Sequence, residues 1–315
     1  MSAADASRLA LAVDLGGTKV EAALVDETGR LLAGSRHRRP TGPERSEEEL
    51  ALSVTEAVAG ALAALPEGAE VVGAGIGSAG PVRLPDRTSP LNLPAWRDYP
   101  LRDLIAAQLP GAPVTLSIDG VCIALAEHWI GAAVGESDLM GMIVSTGVGG
   151  GLILGGHTVA GPSGNAGHIG HVQVSGFDVP CKCGGRGCLE AIASGPNSVA
   201  WARAQGWDGR TGEDLGRAHA AGDPIAIAAV ERSGRATGEA IASATALVDL
   251  AVVAIGGGFS RVAPAWFDHV RAAIATHADF GFVAKVRVVP SGLSDEGPLV
   301  GAAALVHRPE LIGAR

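Results

Sequence analysis

Between residues 167 and 190 the chain reads GHIGHVQVSGFDVPCKCGGRGCLE, a glycine-rich run that holds two histidines, three cysteines and a glutamate. His171, Cys181, Cys183 and Cys188 give the spacing H-x9-C-x-C-x4-C. Three thiolates and one imidazole fill a tetrahedral shell with no position left open, which is the chemistry of a structural zinc rather than a catalytic one. The competing reading is an accidental cluster without metal. On the zinc reading the ion shapes a loop, and the neighbouring His168 and Glu190 face a ligand. The fourth cysteine, Cys122, stands alone in an apolar helical pattern and reads as a small buried hydrophobe.

A second group of residues suits anion binding. DLGGTK (14–19) follows an apolar run, and its adjacent glycines let backbone N–H groups approach a bulky anion. Thr18 adds a hydroxyl donor and Lys19 a cation, while Asp14 can orient a metal-bound water. STGVGGG (145–151) repeats the design with Thr146 and Gly147, and IGGG (255–258) adds Gly256 and Gly257 after another apolar run. Each turn alone is also explained by an ordinary tight β-turn. The three together favour a nucleotide, its polyphosphate held between two of them. Neither a Walker loop nor a dinucleotide fingerprint is present, since GxxxxGK[ST] and a strand-to-helix GxGxxG are both missing.

Asp119 closes the short apolar run LSID and precedes the helical pattern GVCIALAEHWIG. A carboxylate there can take the proton of a substrate hydroxyl that attacks a phosphoryl group. It can equally be a helix N-cap, which spacing alone favours.

The elements that must position these residues alternate between strand and helix. Apolar runs that end in glycine turns lie at 9–14, 71–82, 139–156 and 248–260. Between them, 46–65 reads as a helix with a Ser46/Glu49 capping box and a stop at Pro66, and helical segments dominate 196–250. EGPLVGAAALVH near the C-terminus reads as an amphipathic helix. This is an α/β pattern. The strand–turn–strand unit near 9–25 recurs near 140–154, which suggests two related halves with a ligand cleft between them and a hinge near LPGAPV.

Composition narrows the partners. With 47% hydrophobic and 18% charged residues the chain is an ordered globular protein. No apolar stretch reaches the ~20 residues that a membrane helix needs, and no basic leader precedes the first strand, so a cytoplasmic location and no membrane partner are expected. A net charge of -9 argues against nucleic acid. The short basic run RHRRP (36–40) reads as a solvated strand end or loop.

These motifs resemble the ROK family, which joins bacterial sugar kinases and sugar-responsive repressors within the sugar kinase–actin superfamily. The likeness spans nearly the whole chain. It rests on DLGGTK, on NLP at 92–94, on the strand end at Asp119, on STGVGGG, on GHIGH and on CKCGGRGCLEAIASG. It implies a two-domain sugar kinase–actin-like (ribonuclease H-like) fold with an interdomain cleft. Residues 1–117 would form the small N-terminal domain, joined by a C-terminal helix at 303–315, and 118–302 the large domain with the zinc loop. The implied activity is phosphoryl transfer from ATP, with Mg2+, to a sugar hydroxyl, usually the 6-OH. A homodimer or higher homo-oligomer is the implied assembly.

Residue by residue, the resemblance assigns Asp119 as general base, and Asp14, Gly16, Gly17, Thr18 and Lys19 to the first phosphate turn. Thr146 and Gly147 fall to the second turn, and Gly256 and Gly257 to the turn beside the adenosine. The sugar falls to Gly80, Asn92, Asp119, His168, His171 and Glu190, with His171 also a zinc ligand.

Two positions depart from the family pattern. Ile118 stands where an Asn usually precedes the base, and His168 stands where ExGH has its Glu. HxGH followed by EAIASG resembles N-acetylmannosamine kinases more than glucokinases, although Ile118 departs from both. Glucose and N-acetylmannosamine are thus the leading substrates. Another sugar or cyclitol kinase, or a catalytically weak sugar-binding relative, is the alternative. A repressor is disfavoured, because the first phosphate turn begins at residue 14 and leaves no room for a helix-turn-helix.

Overall fold

Two five-stranded sheets, each with its own core, organise the molecule. The computed structural model describes residues 8–313 apart from Ala278 and Ser294. The first sheet is built from β1 (Arg8–Leu15), β2 (Lys19–Asp26), β3 (His37–Pro40), β4 (Glu70–Ser78) and β7 (Val114–Ile118), in the order β3-β2-β1-β4-β7. A small β5 (Val82–Arg83) and β6 (Arg87–Thr88) hairpin lies apart from it. The second sheet runs β10-β9-β8-β11-β12, with β8 (Leu139–Val144), β9 (Val148–Leu154), β10 (His157–Thr158), β11 (Val252–Gly256) and β12 (Arg287–Pro290). In each sheet a glycine-turn hairpin, β1–β2 or β8–β9, is extended by parallel strands.

The helices follow from local signals. In α1 (Glu47–Ala63) Ser46 and Glu49 form the reciprocal capping box that the sequence predicts. α7 (Pro224–Val248) starts on Asp223, whose side chain accepts from Ile225 N and Ala226 N, with Pro224 at the first helical position. Between these lie α2 (Leu101–Ala106), α3 (Asp119–Trp129), α4 (Leu189–Ala193), α5 (Gly195–Ala204) and α6 (Gly212–Ala220). α8 (Ala265–Ala275) and α9 (Gly297–His307) follow.

The C-terminal helix differs from expectation in both bounds and character. It begins at Gly297, with Pro298 in its first turn, so a boundary at 302 would cut it in half. Nor is it amphipathic: Leu299 to Leu305 are all buried. It lies between the first sheet and α3 and so has almost no solvent face.

That sandwich is tight because glycines remove the side chains between layers. A Cβ at Gly75 of β4 would lie 1.7 Å from Ala302 O on α9, and one at Gly301 of α9 would lie 1.6 Å from Cys122 O on α3. Cys122 is fully buried there, as expected. β4, α9, α3 and β9 therefore form a continuous stack across the molecule.

Register aligns the strand ends. Leu15 of β1 is level with Ser78 of β4, and Ser78 with Ile118 of β7, all parallel. In the second sheet Gly256 of β11 is level with Ile143 of β8. Every candidate turn therefore leaves a carboxyl end of a parallel strand, where open α/β sheets take their ligands. Among the described residues no helix is long and apolar enough to cross a membrane.

Candidate active site

The first glycine turn is braced from behind. Gly16 N donates to Lys19 O at 2.9 Å, Thr41 Oγ1 donates to Gly16 O at 2.8 Å, and Thr41 N donates to Thr18 O at 3.0 Å. Thr18 is left exposed at the tip. Lys19, expected as the cation of this turn, is bonded through Nζ to Glu21. Glu21 is nearly buried and also accepts from Arg36 Nε and Arg38 Nε, each at 3.0 Å. Burial works against its charge, yet the hydrogen bonds from Lys19, Arg36 and Arg38 hold its carboxyl below the usual range.

The reading of RHRRP as a solvated strand end holds for the edge strand and the exposed Arg38, but it missed the acid that the segment serves. The segment enters β3, and two of its arginines neutralise a buried acid. The available signal was Glu21 itself, a charge at the head of the apolar run VEAALVD that required partners.

Asp119 is the first residue of α3 and not its cap. Ile118 occupies the cap position with no side-chain bond, while Asp119 Oδ1 accepts from its neighbour Gly120 N at 2.7 Å. Burial raises the Asp119 carboxyl to about 6 against the lowering effect of that bond, and the charge of Glu190 adds to the rise. Asp14, at the end of β1, is raised further, to about 7, first by burial and then by the charge of Asp119, with Lys19 and Arg36 opposing. Two carboxyls thus share one electrostatic environment beside the first turn. Ile118 is fully buried in the core, so position 118 shapes the wall behind Asp119 by packing.

The second and third turns adjoin each other. Ser145 N donates to Gly147 O at 2.9 Å, Thr146 is exposed, and Gly195 N donates to Ser145 O at 2.8 Å. Gly257 has φ +99°, and a Cβ there would lie 2.4 Å from Val144 O, so only glycine lets the β11 turn pass the end of β8. Glu190 in α4 accepts from Val148 N at 3.0 Å, which places it at the base of the second turn.

His168 lies between β9 and Gly80, since its neighbours Gly167 and Ile169 pack on Gly150 of β9. A Cβ at Gly80 would lie 2.7 Å from His168 Nε2, so the imidazole is seated on the Gly80 backbone. That Nε2 is buried and has no hydrogen-bond partner. Burial, and then the neighbouring His171, hold the imidazole below its usual range, so it is neutral. Asn92 packs on Gly17 and accepts from Lys182 Nζ at 3.3 Å, so the cysteine loop reaches the first half of the chain. Asn165 makes a second tie, exchanging two 2.8 Å bonds with the Val82 backbone.

His171, Cys181, Cys183 and Cys188 converge, with donor atoms all within 4.8 Å of one another. Cys181 Sγ is 3.7 Å from His171 Nδ1, and Cys183 Sγ is 3.6 Å from Cys188 Sγ. Donors bonded at about 2.3 Å around a tetrahedral ion stand about 3.8 Å apart. The donor set therefore fits a thiophilic dication. The structure thus brings Asp14, Gly16, Gly17, Thr18, Gly80 and Asn92 to one rim and Thr146, Gly147, Gly256, Gly257 and Glu190 to the other, with Asp119 and His168 between them and Lys19 diverted to Glu21.

Comparison with known proteins gives this arrangement a family. The ROK family pattern matches residues 10–309. The chain is 30% identical to a glucokinase of Streptomyces coelicolor over 96% of this chain and 99% of that protein. It is 33% identical to an N-acetylmannosamine kinase of Yersinia pseudotuberculosis, over 93% of this chain and 96% of that one. A ROK family glucokinase from Streptomyces griseus, solved with glucose and AMPPNP, superposes with a TM-score of 0.80 at 31% identity, covering 95% of this chain and 99% of that one. With the family pattern spanning almost the entire sequence and the fold reproduced along it, the chain belongs to the ROK family.

Proposed function

We propose that this protein is an ATP-dependent sugar kinase in which Asp119 is the general base. The observation that carries the reading is the state of that carboxyl. It begins a helix without capping it, stands at the carboxyl end of β7 level with the first glycine turn, and is raised by burial to about 6. A base of that strength is ionised at neutral pH and strong enough to take a proton from a hydroxyl as its oxygen attacks. The new O–P bond forms as the bond to the leaving ADP breaks.

Backbone N–H groups of the turns at 17–18 and 146–147 bear part of the phosphate charge. The Lys19–Glu21–Arg36–Arg38 group, with Asp295 on Arg36, carries three positive charges against two negative. Its surplus favours the polyphosphate at long range, while Glu21 keeps Lys19 from binding phosphate directly. Asp14 fits a divalent ion, since a carboxyl raised by burial and by a neighbouring carboxylate is a group that a dication relieves. Mg2+ arriving with ATP supplies charge neutralisation on the phosphate oxygens. Gly256 and Gly257 receive the adenosine side. The Cys3His set holds a structural zinc, which fixes the loop that carries His168 and Lys182.

For the acceptor we assign Gly80, Asn92, His168, His171 and Glu190 to the sugar, with its 6-hydroxyl at Asp119. Glucose and N-acetylmannosamine, the substrates named for two relatives, are the leading candidates. The neutral His168 can accept from a hydroxyl or donate to a carbonyl such as that of an acetamido group. The domain division follows the sheets: residues up to 118 with the whole of α9 in one unit, 119 to 296 in the other. Turnover on a panel of glucose, N-acetylmannosamine, N-acetylglucosamine and deoxysugars, read as ADP release, tests the proposal. No turnover on any of them, with sugar binding retained, converts the protein into a sugar-binding member of the family.

A further inference from the structure

One acidic side chain in the core has no part in the chemistry so far. Glu127, on the last turn of α3, is 1% exposed and has no cationic partner among the described residues. A buried carboxylate without a cation survives only where donors serve its oxygens. Three do. Oε2 accepts from Ala132 N at 2.7 Å and Gly292 N at 3.2 Å, and Oε1 accepts from Ser291 Oγ.

The origin of these donors gives the contact its meaning. Ala132 lies just after α3, and Ser291 and Gly292 lie just after β12, where the chain leaves the second sheet for α9. Ser291 is also fixed to the third glycine turn: its N donates to Ile255 O at 2.9 Å, and its Cβ is 3.1 Å from where a Cβ on Gly256 would lie. Asp119 begins the same helix, eight residues and about 12 Å away at 1.5 Å per residue. One rigid rod therefore carries the base at one end and, at the other, the carboxylate that grips the segment lining the turn at 256–257.

We propose that Glu127 is a positioning residue, which sets the distance from the base to the nucleotide's far end by pinning Ser291 and Gly292 to α3. The inference rests on the kinase reading for the identity of the ligand at the third turn. In Glu127→Gln an amide NH2 replaces one acceptor oxygen and faces donors, so one side of the pin opens. Ser291→Ala removes the hydroxyl and leaves the carboxylate in place.

Calorimetric titration with Mg·ATP, and separately with D-glucose and N-acetylmannosamine, tests this on the full chain. Each variant should bind ATP about tenfold more weakly, the equivalent of one hydrogen bond. The double variant should fall short of the hundredfold sum, and sugar affinity should be unchanged. A purely structural role would lower ATP and sugar affinity together. Unchanged ATP affinity in both variants, or a parallel loss of both ligands, overturns the inference. Should Glu127→Gln fail to fold, Ser291→Ala decides alone. If the wild-type chain binds ATP yet phosphorylates no sugar, the kinase reading fails while the affinity comparison still judges the pin. Absence of ATP binding by the wild type overturns both.

Discussion

Asp119 shows how a fold makes an ordinary carboxyl useful. Its unperturbed value of 3.8 would leave it too weak a base, and burial raises it to about 6. Replacing it with Asn should leave sugar binding intact and lower turnover by about 10²–10⁴-fold, measured by ADP release beside calorimetry. In the wild type, kcat/KM should fall as pH drops through about 6.

The same shift has a stability sign. A carboxyl raised in the folded state binds its proton more tightly there, so the wild type loses stability as pH rises from about 4 to about 6, and the deficit then persists. Asp119→Asn removes the deficit. Unfolding free energies from urea titration should therefore favour the Asn variant by on the order of 2 kcal/mol at pH 8 and by less at pH 4.5. Asp119 was legible as a candidate from LSID-GVCIAL, but its rejection as a cap was not, because capping depends on which residue adopts the extended conformation before the helix. Glu21 and Glu127 were not singled out at all, since their partners come from Arg36, Arg38, Ser291 and Gly292, and only the folded chain brings these together.

At the level of elements, apolar runs closed by glycine were read correctly as strands, and α1 and its capping box follow directly from SEEELALSV. The misreading of α9 as amphipathic has a plain cause. A helix enclosed on both sides loses its polar face, and its periodicity with it. Its packing makes a firm prediction. Gly301→Ala would drive a methyl group into the Cys122 carbonyl, and backbone on both sides cannot yield. The expected loss is about 3 kcal/mol or more, visible as a lowered unfolding midpoint. The cysteine loop responds differently. Cys183→Ser should abolish stoichiometric zinc by elemental analysis and lower sugar affinity with it, because the loop that carries His168 would lose its anchor. Full zinc occupancy in that variant would show that the donor set is assigned wrongly.

For the whole molecule, the two rims carry complementary parts of the site, and direct bonds between them include Lys182–Asn92 and Asn165–Val82. The two rims already touch where His168 rests on Gly80, and on the kinase reading bound ligands draw them closer. Addition of an accepted sugar should therefore reduce the radius of gyration measured by small-angle X-ray scattering, with Mg·ATP adding to the change. An unchanged radius with both ligands bound would mean that the site is assembled in advance.

The stack of β4, α9, α3 and β9 has a practical corollary for protein engineering. Its neighbours meet through main chain with no side chains to trim, so a graft cannot be adjusted by repacking. A chimera that takes one half from a relative should be joined outside this column, in the loops before β4 and after α9. Seams placed within it would force two unrelated main chains into van der Waals register, and such hybrids should express as aggregates.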